Sequence, residues 1–195
     1  MTSSVPDTAF LQPADVPGQI KGSPARLGDG ERPLPSFCGV PYDQGDRLVA
    51  RATFRLLYNS PGSVAESTPK AAVYQDVLLF REDAAAAFLA ALRAAVTGCP
   101  SQSDDVGGQV ENRLHGTVEA GDDSALIEQR RGSTDELGKP RGDGSAQSMY
   151  WAAVRVRDAI AFLTVLGWEC ASADRGDAIT LGQRAARRLA AWRGA

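Results

Sequence analysis

Alternation of apolar and polar positions begins at Leu48. Ala50, Ala52, Phe54, Leu56 and Tyr58 alternate with Val49, Arg51, Thr53, Arg55 and Leu57, which predicts a strand with one buried face. Asn59-Ser60-Pro61-Gly62 ends it in a turn. Ala71 to Phe80, rich in Val, Tyr, Leu and Phe, reads as a second strand. The period then changes. From Glu82 to Thr97, Phe88, Leu89, Leu92 and Val96 recur at helical spacing, with acids in the first turn and Gly98 just past the end. Gln109 to Ala120 alternates again, setting Val110, Asn112, Leu114, Gly116 and Val118 against Glu111, Arg113, His115, Thr117 and Glu119. Gly121-Asp122-Asp123-Ser124 turns into a short strand, Ala125 to Arg130. Ser148 to Arg157 and Ala159 to Trp168 are two further strands joined tightly at Arg157-Asp158. Asp177 to Trp192 closes the chain as an amphipathic helix striped by Ala178, Leu181, Ala185, Leu189 and Trp192.

The order β-β-α-β-β-β-β-α with short hairpin connections predicts an α+β fold. We expect an antiparallel β-sheet of about six strands with two helices packed on one face. Residues 1–46 form an irregular N-terminal segment packed on the body, and 47–195 a single domain. Pro6, Pro13, Pro17, Pro24, Pro33, Pro35 and Pro41 leave that segment room for little more than a helical turn around Phe10 to Val16. Phe10, Leu11, Phe37 and Cys38 are its expected anchors. Read consistently, the alternation puts Arg51, Arg55, Arg113, His115, Trp151 and Arg155 on the sheet face away from the helices. Gly132 to Ala146, polar and Gly-rich, is a loop suited to act as a lid over that face.

Composition narrows the function classes. The chain has 195 residues, 43% apolar and 23% charged, with a formal charge of −3. That balance lacks the basic footprint of a nucleic-acid binder. The longest apolar run, Ala84 to Leu92, falls far short of the roughly 18 residues of a membrane span. Lysine occurs only at Lys21, Lys70 and Lys139, and arginine supplies every other basic residue. An Arg-rich concavity suits anions, because the guanidinium stays charged and grips carboxylates with a planar fork. The first residues show no basic n-region and no apolar h-region, so no signal peptide is read there.

Three cysteines, Cys38, Cys99 and Cys170, allow at most one internal bridge. With one histidine and no CxxC spacing, neither a metal site nor a cofactor is expected. Cys38 in a loop and Cys99 at the end of the first long helix are natural staple points. Closing that loop of about 60 residues contributes roughly 4 kcal/mol in the chain-entropy model. Cys170 reads as a lone buried thiol rather than a nucleophile. His115 reads first as a surface strand residue and only second as a base, since no G-x-S-x-G elbow accompanies it. Asp104-Asp105, Asp122-Asp123 and Asp135-Glu136 are turn and loop acids. The Gly-rich stretches lack the context of a phosphate loop, and two Arg-Gly-Asp triplets are coincidences of composition. Trp151 stands out, because Arg155 and Arg157 in phase with it are not core residues. An aromatic wall or a cation–π partner for an organic ligand fits there.

A resemblance adds to this reading. Ala9-Phe10-Leu11-Gln12-Pro13-Ala14-Asp15-Val16-Pro17-Gly18 looks like the opening of actinobacterial extracytoplasmic sensor-domain lipoproteins. Ser36-Phe37-Cys38, Leu92-Arg93-Ala94-Ala95 with Cys99-Pro100, Gly121-Asp122-Asp123-Ser124, Val154-Arg155-Val156-Arg157-Asp158 and Gly167-Trp168-Glu169 follow that pattern in order. The chain is similar to the extracellular sensor of mycobacterial receptor serine/threonine kinases, the PknH-like family. The resemblance implies an antiparallel sheet flanked by helices, a cleft for a small ligand, a place outside the membrane and no enzymatic activity. The kinase sensor carries two disulfides where this chain has cysteines for one. Arg157 also stands where its tight hairpin calls for glycine.

The reading that follows is an extracytoplasmic small-ligand-binding or sensor domain without catalysis, its leader absent from this chain. Trp151 and Tyr74 would wall the site, and Arg55, Arg113, His115 and Arg155 would give it polarity. Its partner would be a small molecule, with an anion well suited, and no nucleic acid. Two alternatives come from other classes. One is a cytoplasmic, cofactor-independent cyclase or isomerase that works by shaping its substrate. The other is an interaction module using an exposed sheet edge.

Overall fold

Ala71–Phe80 and Ala159–Gly167 bury almost every residue rather than every second one, which marks strands covered on both faces. The computed structural model describes residues 4–28, 32–42, 45–64, 66–81, 83–103, 108–132, 139, 145–169 and 171–194. Its elements are β1 (Ala25–Leu27), β2 (Leu48–Tyr58), β3 (Ala71–Phe80), α1 (Ala84–Gly98), β4 (Ser101–Ser103) and β5 (Gln109–Leu114). They continue with β6 (Asp123–Gly132), β7 (Ala146–Val156), β8 (Ala159–Gly167) and α2 (Arg175–Arg193). All eight strands join one antiparallel sheet in the order β1-β2-β3-β8-β7-β6-β5-β4. The α+β class holds, with eight strands rather than about six. The two additions, β1 and β4, have three residues each, too few to show a period.

The helices expected on one face lie on opposite faces. Ala178, Leu181, Ala185 and Leu189 of α2 share a core with Val73, Val77, Ala152, Val154 and Leu163. Phe88, Leu89, Leu92 and Val96 of α1 share the other core with Leu78, Ile127, Ala153 and Phe162. Topology explains the split. After β3 the chain crosses one face as α1 to reach β4 at the far edge. It returns strand by strand to β8 beside β3, and crosses the other face as α2.

The segment before β2 wraps the β1–β2 edge and supplies both cores. Two short 3₁₀ turns, Asp7–Ala9 and Pro13–Asp15, carry Ala9, Phe10 and Leu11 onto the α2 face. There Phe10 stacks on Phe54 at 4.9 Å, the Leu11 amide donates to Gln75 at 2.7 Å, and Arg188 of α2 pairs with Asp15 at 2.8 Å. Beyond β1, Leu34, Phe37 and Tyr42 join the α1 core. At the β7–β8 hairpin, where glycine was expected, Arg157 takes the left-handed conformation with φ of 55°. Its amide donates to Asp122 at 2.6 Å and its guanidinium to the Arg193 carbonyl at 2.8 Å, contacts that offset the local strain.

Candidate functional site

Helix α1 runs over the β5–β7 half of its sheet face, so the β2–β3 half needs another cover. Residues 32–42 provide it as a strap. Pro33, Pro35 and Pro41 fix its backbone without calling for ladder partners. Phe37 is its buried anchor, edge-on to Trp151 at 5.4 Å. A disulfide from Cys38 to Cys99, with Cα atoms 5.7 Å apart, pins the strap to the end of α1. Gln102 of β4 completes the clasp: its amide donates to the Ser36 carbonyl at 2.9 Å, and its oxygen accepts from the Cys38 amide at 2.6 Å.

Between strap and sheet edge opens a cleft of about 590 Å³, bounded by Arg32, Leu34, Pro35, Gln102, Gln129 and Trp151. A smaller space of about 370 Å³ lies on the strap's other side, against Leu48, Arg51 and Leu78. Trp151 is 4% exposed, and its indole N–H has no hydrogen-bond partner. Leaving such a donor buried costs about 1–3 kcal/mol. The strand register fixes what surrounds it. Arg55, Tyr74, Thr164, Trp151 and Ile127 form one cross-strand row on the α1 face. Over Tyr74 sits the Arg32 guanidinium, 4.0 Å from the ring centroid. Burial pushes the Arg32 pKa down, against the opposing pull of Asp76. Asp76 itself is occupied by Arg51 at 2.7 Å and Thr53 at 2.6 Å.

The six residues expected to share one site therefore separate. Trp151 and Tyr74 lie two strands apart in the same row, with Arg55 exposed at its outer end. Arg155 shares their face but sits four residues along β7 from Trp151, 3.6 Å from Asp122. Arg113 and His115 fall on the α2 side. Arg113 lies opposite Glu128, which lies opposite Tyr150 of the α2 core, and Arg113 pairs with Glu111 at 2.7 Å. His115 also reaches Glu128, its Nε2 2.8 Å from the carboxylate. Ser148 donates to the same carboxylate at 2.7 Å and Tyr150 at 3.3 Å. Burial pushes the Glu128 pKa up, but these hydrogen bonds and the His115 charge outweigh it and hold the carboxyl below its ordinary value.

Sequence reasoning missed Arg32, Gln102 and Gln129. Gln129 was within reach, since it is in phase with Ile127 on β6. Arg32 and Gln102 are placed by the strap and the disulfide, which leave no periodic signal. Cys170, Asp104-Asp105, Asp135-Glu136, and residues 133–138 and 140–144 of the expected lid lie outside the described residues. Among the described residues no group of three or more His, Cys, Asp or Glu side chains gathers as a metal site. No helix there is long and apolar enough to cross a membrane.

No protein-family model and no curated protein matches the chain. Among solved structures, the extracellular domain of PknH from Mycobacterium tuberculosis is similar to it, with a TM-score of 0.59 and 15% sequence identity. The alignment covers 96% of this chain and 94% of that one. The chain thus has the fold of that extracellular domain.

Proposed function

We propose that the protein is an extracytoplasmic sensor-type domain that binds a small molecule in the strap cleft, without catalysis. The observation that carries this reading is Trp151, a residue of the concave cleft wall whose buried indole N–H has no partner. A donor so placed is satisfied when an acceptor on a ligand reaches it. The disulfide supports an oxidising compartment, and the PknH extracellular domain offers a precedent for the fold in that setting. Trp151 remains a proposed wall residue, joined by Arg32, Gln102 and Gln129, and Tyr74 takes part through the Arg32 guanidinium stacked on it. Arg113, His115 and Arg155 leave the proposal, because they face elsewhere or serve other partners.

The catalytic alternative has one observation in its favour, the hydrogen-bonded group of His115, Glu128, Ser148 and Tyr150. Every member of that group is engaged with another, and it lies on the opposite side of the sheet from the strap cleft. We read it as a structural tie across β5, β6 and β7.

A thermal-shift screen of small metabolites separates these readings, run on wild type, on Trp151→Phe, and on Ser103→Trp, which obstructs the cleft rim. Compounds that raise the melting temperature of wild type and lose their effect in both variants support the cleft. Stabilising compounds that act equally on all three proteins would refute it.

A further inference from the structure

The cleft walls carry an electrostatic bias. Among the described residues its lining includes no acid, and of its two arginines, Arg32 and Arg131, the second is already engaged elsewhere. Asp76 would be the natural counter-ion of Arg32, but its buried carboxylate already takes Arg51 and Thr53. The Arg51 guanidinium also donates to the Arg32 carbonyl, fixing the Arg32 backbone on the sheet. The Arg32 guanidinium stacks on Tyr74, and its N–H groups donate to no side chain or carbonyl among the described residues. Stacking holds the plane of the fork while leaving its N–H edge open. Two strands away in the same row lies Trp151 with its unpartnered N–H, at a Cα separation of about 10 Å from Tyr74.

We propose that the ligand is a small organic carboxylate whose anionic end is taken by the Arg32 fork while a second oxygen accepts from the Trp151 indole. The proposal rests on the cleft reading above and names its ligand class. A single uncompensated guanidinium matches a monoanion better than a doubly charged phosphate. Leu34 and Pro35 offer the intervening carbon skeleton an apolar wall. The strap that walls the cleft keeps water from that end, which strengthens the charged hydrogen bonds.

The test measures affinities by calorimetry for a panel of carboxylates, including benzoate, 4-acetylbenzoate and octanoate. Each is paired with its primary amide, and phenyl phosphate is added. At least one carboxylate should bind about ten-fold or more tightly than its amide. Arg32→Gln should remove that preference, Arg32→Lys should keep part of it, and Trp151→Phe should weaken binding while leaving the preference intact. Unchanged melting of the Arg32 variants shows that they fold. Amides binding as tightly as acids, with dependence on Trp151, would overturn the ligand class and leave the cleft standing. Phenyl phosphate binding more tightly than every carboxylate through Arg32 would also overturn it. Failure of every carboxylate to bind at millimolar concentration would overturn it too. Binding that none of the variants alters would overturn both proposals.

Discussion

Cutting the Cys38–Cys99 bridge should loosen one segment much more than the rest of the molecule. The bridged residues are 61 apart in sequence. The chain-entropy relation for a loop of that length gives about −14 cal/mol/K, or about 4 kcal/mol of stability at 25 °C. In a protein of this size that is about 8–16 °C in melting temperature. Replacing both cysteines by alanine avoids burying a new hydroxyl where Cys99 is fully enclosed. The loss should be local in its first stage. Cys38 holds a left-handed φ of 50°, and without the bridge the middle of the strap is held by Phe37 and the Gln102 clasp, while Arg32 at one end and Tyr42 at the other keep their own contacts with the body. Thermal unfolding with and without reductant measures the global term, with thiols counted under denaturing conditions. Amide exchange over residues 32–42 measures the local one. A melting temperature that moves by less than about 3 °C with both thiols shown free would refute the reasoning.

Trp151→Phe keeps the ring against Phe37 but removes the orphaned donor, so the unliganded protein should lose little stability or gain up to about 1 kcal/mol; a loss above about 2 kcal/mol in denaturant titration would contradict the unpartnered state. Gly121 has φ of 70°, and a Cβ there would sit 2.3 Å from the Arg155 carbonyl, so Gly121→Ala should cost about 2 kcal/mol or more by the same titration. Phe88 fills the α1 core at 0% exposure, and Phe88→Ala should cost about 3–5 kcal/mol. The folded-state pKa of Glu128 is depressed, so its contribution to stability is present above the unfolded value of about 4.3 and fades as pH falls through the folded value. Glu128→Gln should therefore flatten the acid limb of melting temperature against pH, and an unchanged limb would contradict the assignment.

The sequence made the long elements readable because their periods run long enough to be seen. Leu48–Tyr58 and the helix around Phe88 follow from alternation and from helical spacing, and the structure keeps both within a few residues. Alternation stops carrying information where both faces are covered. In β3, β7 and β8 most positions are buried, so nothing in those strands states on which side each helix lies. The site suffered from a related ambiguity. Period two assigns the two faces within a strand, whereas register alone relates one strand's faces to the next. Arg113 sits opposite Glu128 and thus in line with Tyr150, one residue out of phase with Trp151. That single step sends Arg113 and His115 to the α2 side. Arg32 was illegible for another reason, since the disulfide and the prolines that place it leave only loop composition in the sequence.

The most direct test of the cleft follows the indole N–H signals of Trp151, Trp168 and Trp192 by NMR while a stabilising compound from the screen is added. Trp151→Phe assigns the signal. The Trp151 resonance should move downfield as its N–H gains an acceptor and saturate with the affinity measured by calorimetry, while the other two stay in place. A compound that binds and stabilises the protein while the Trp151 resonance does not move would contradict the proposed cleft.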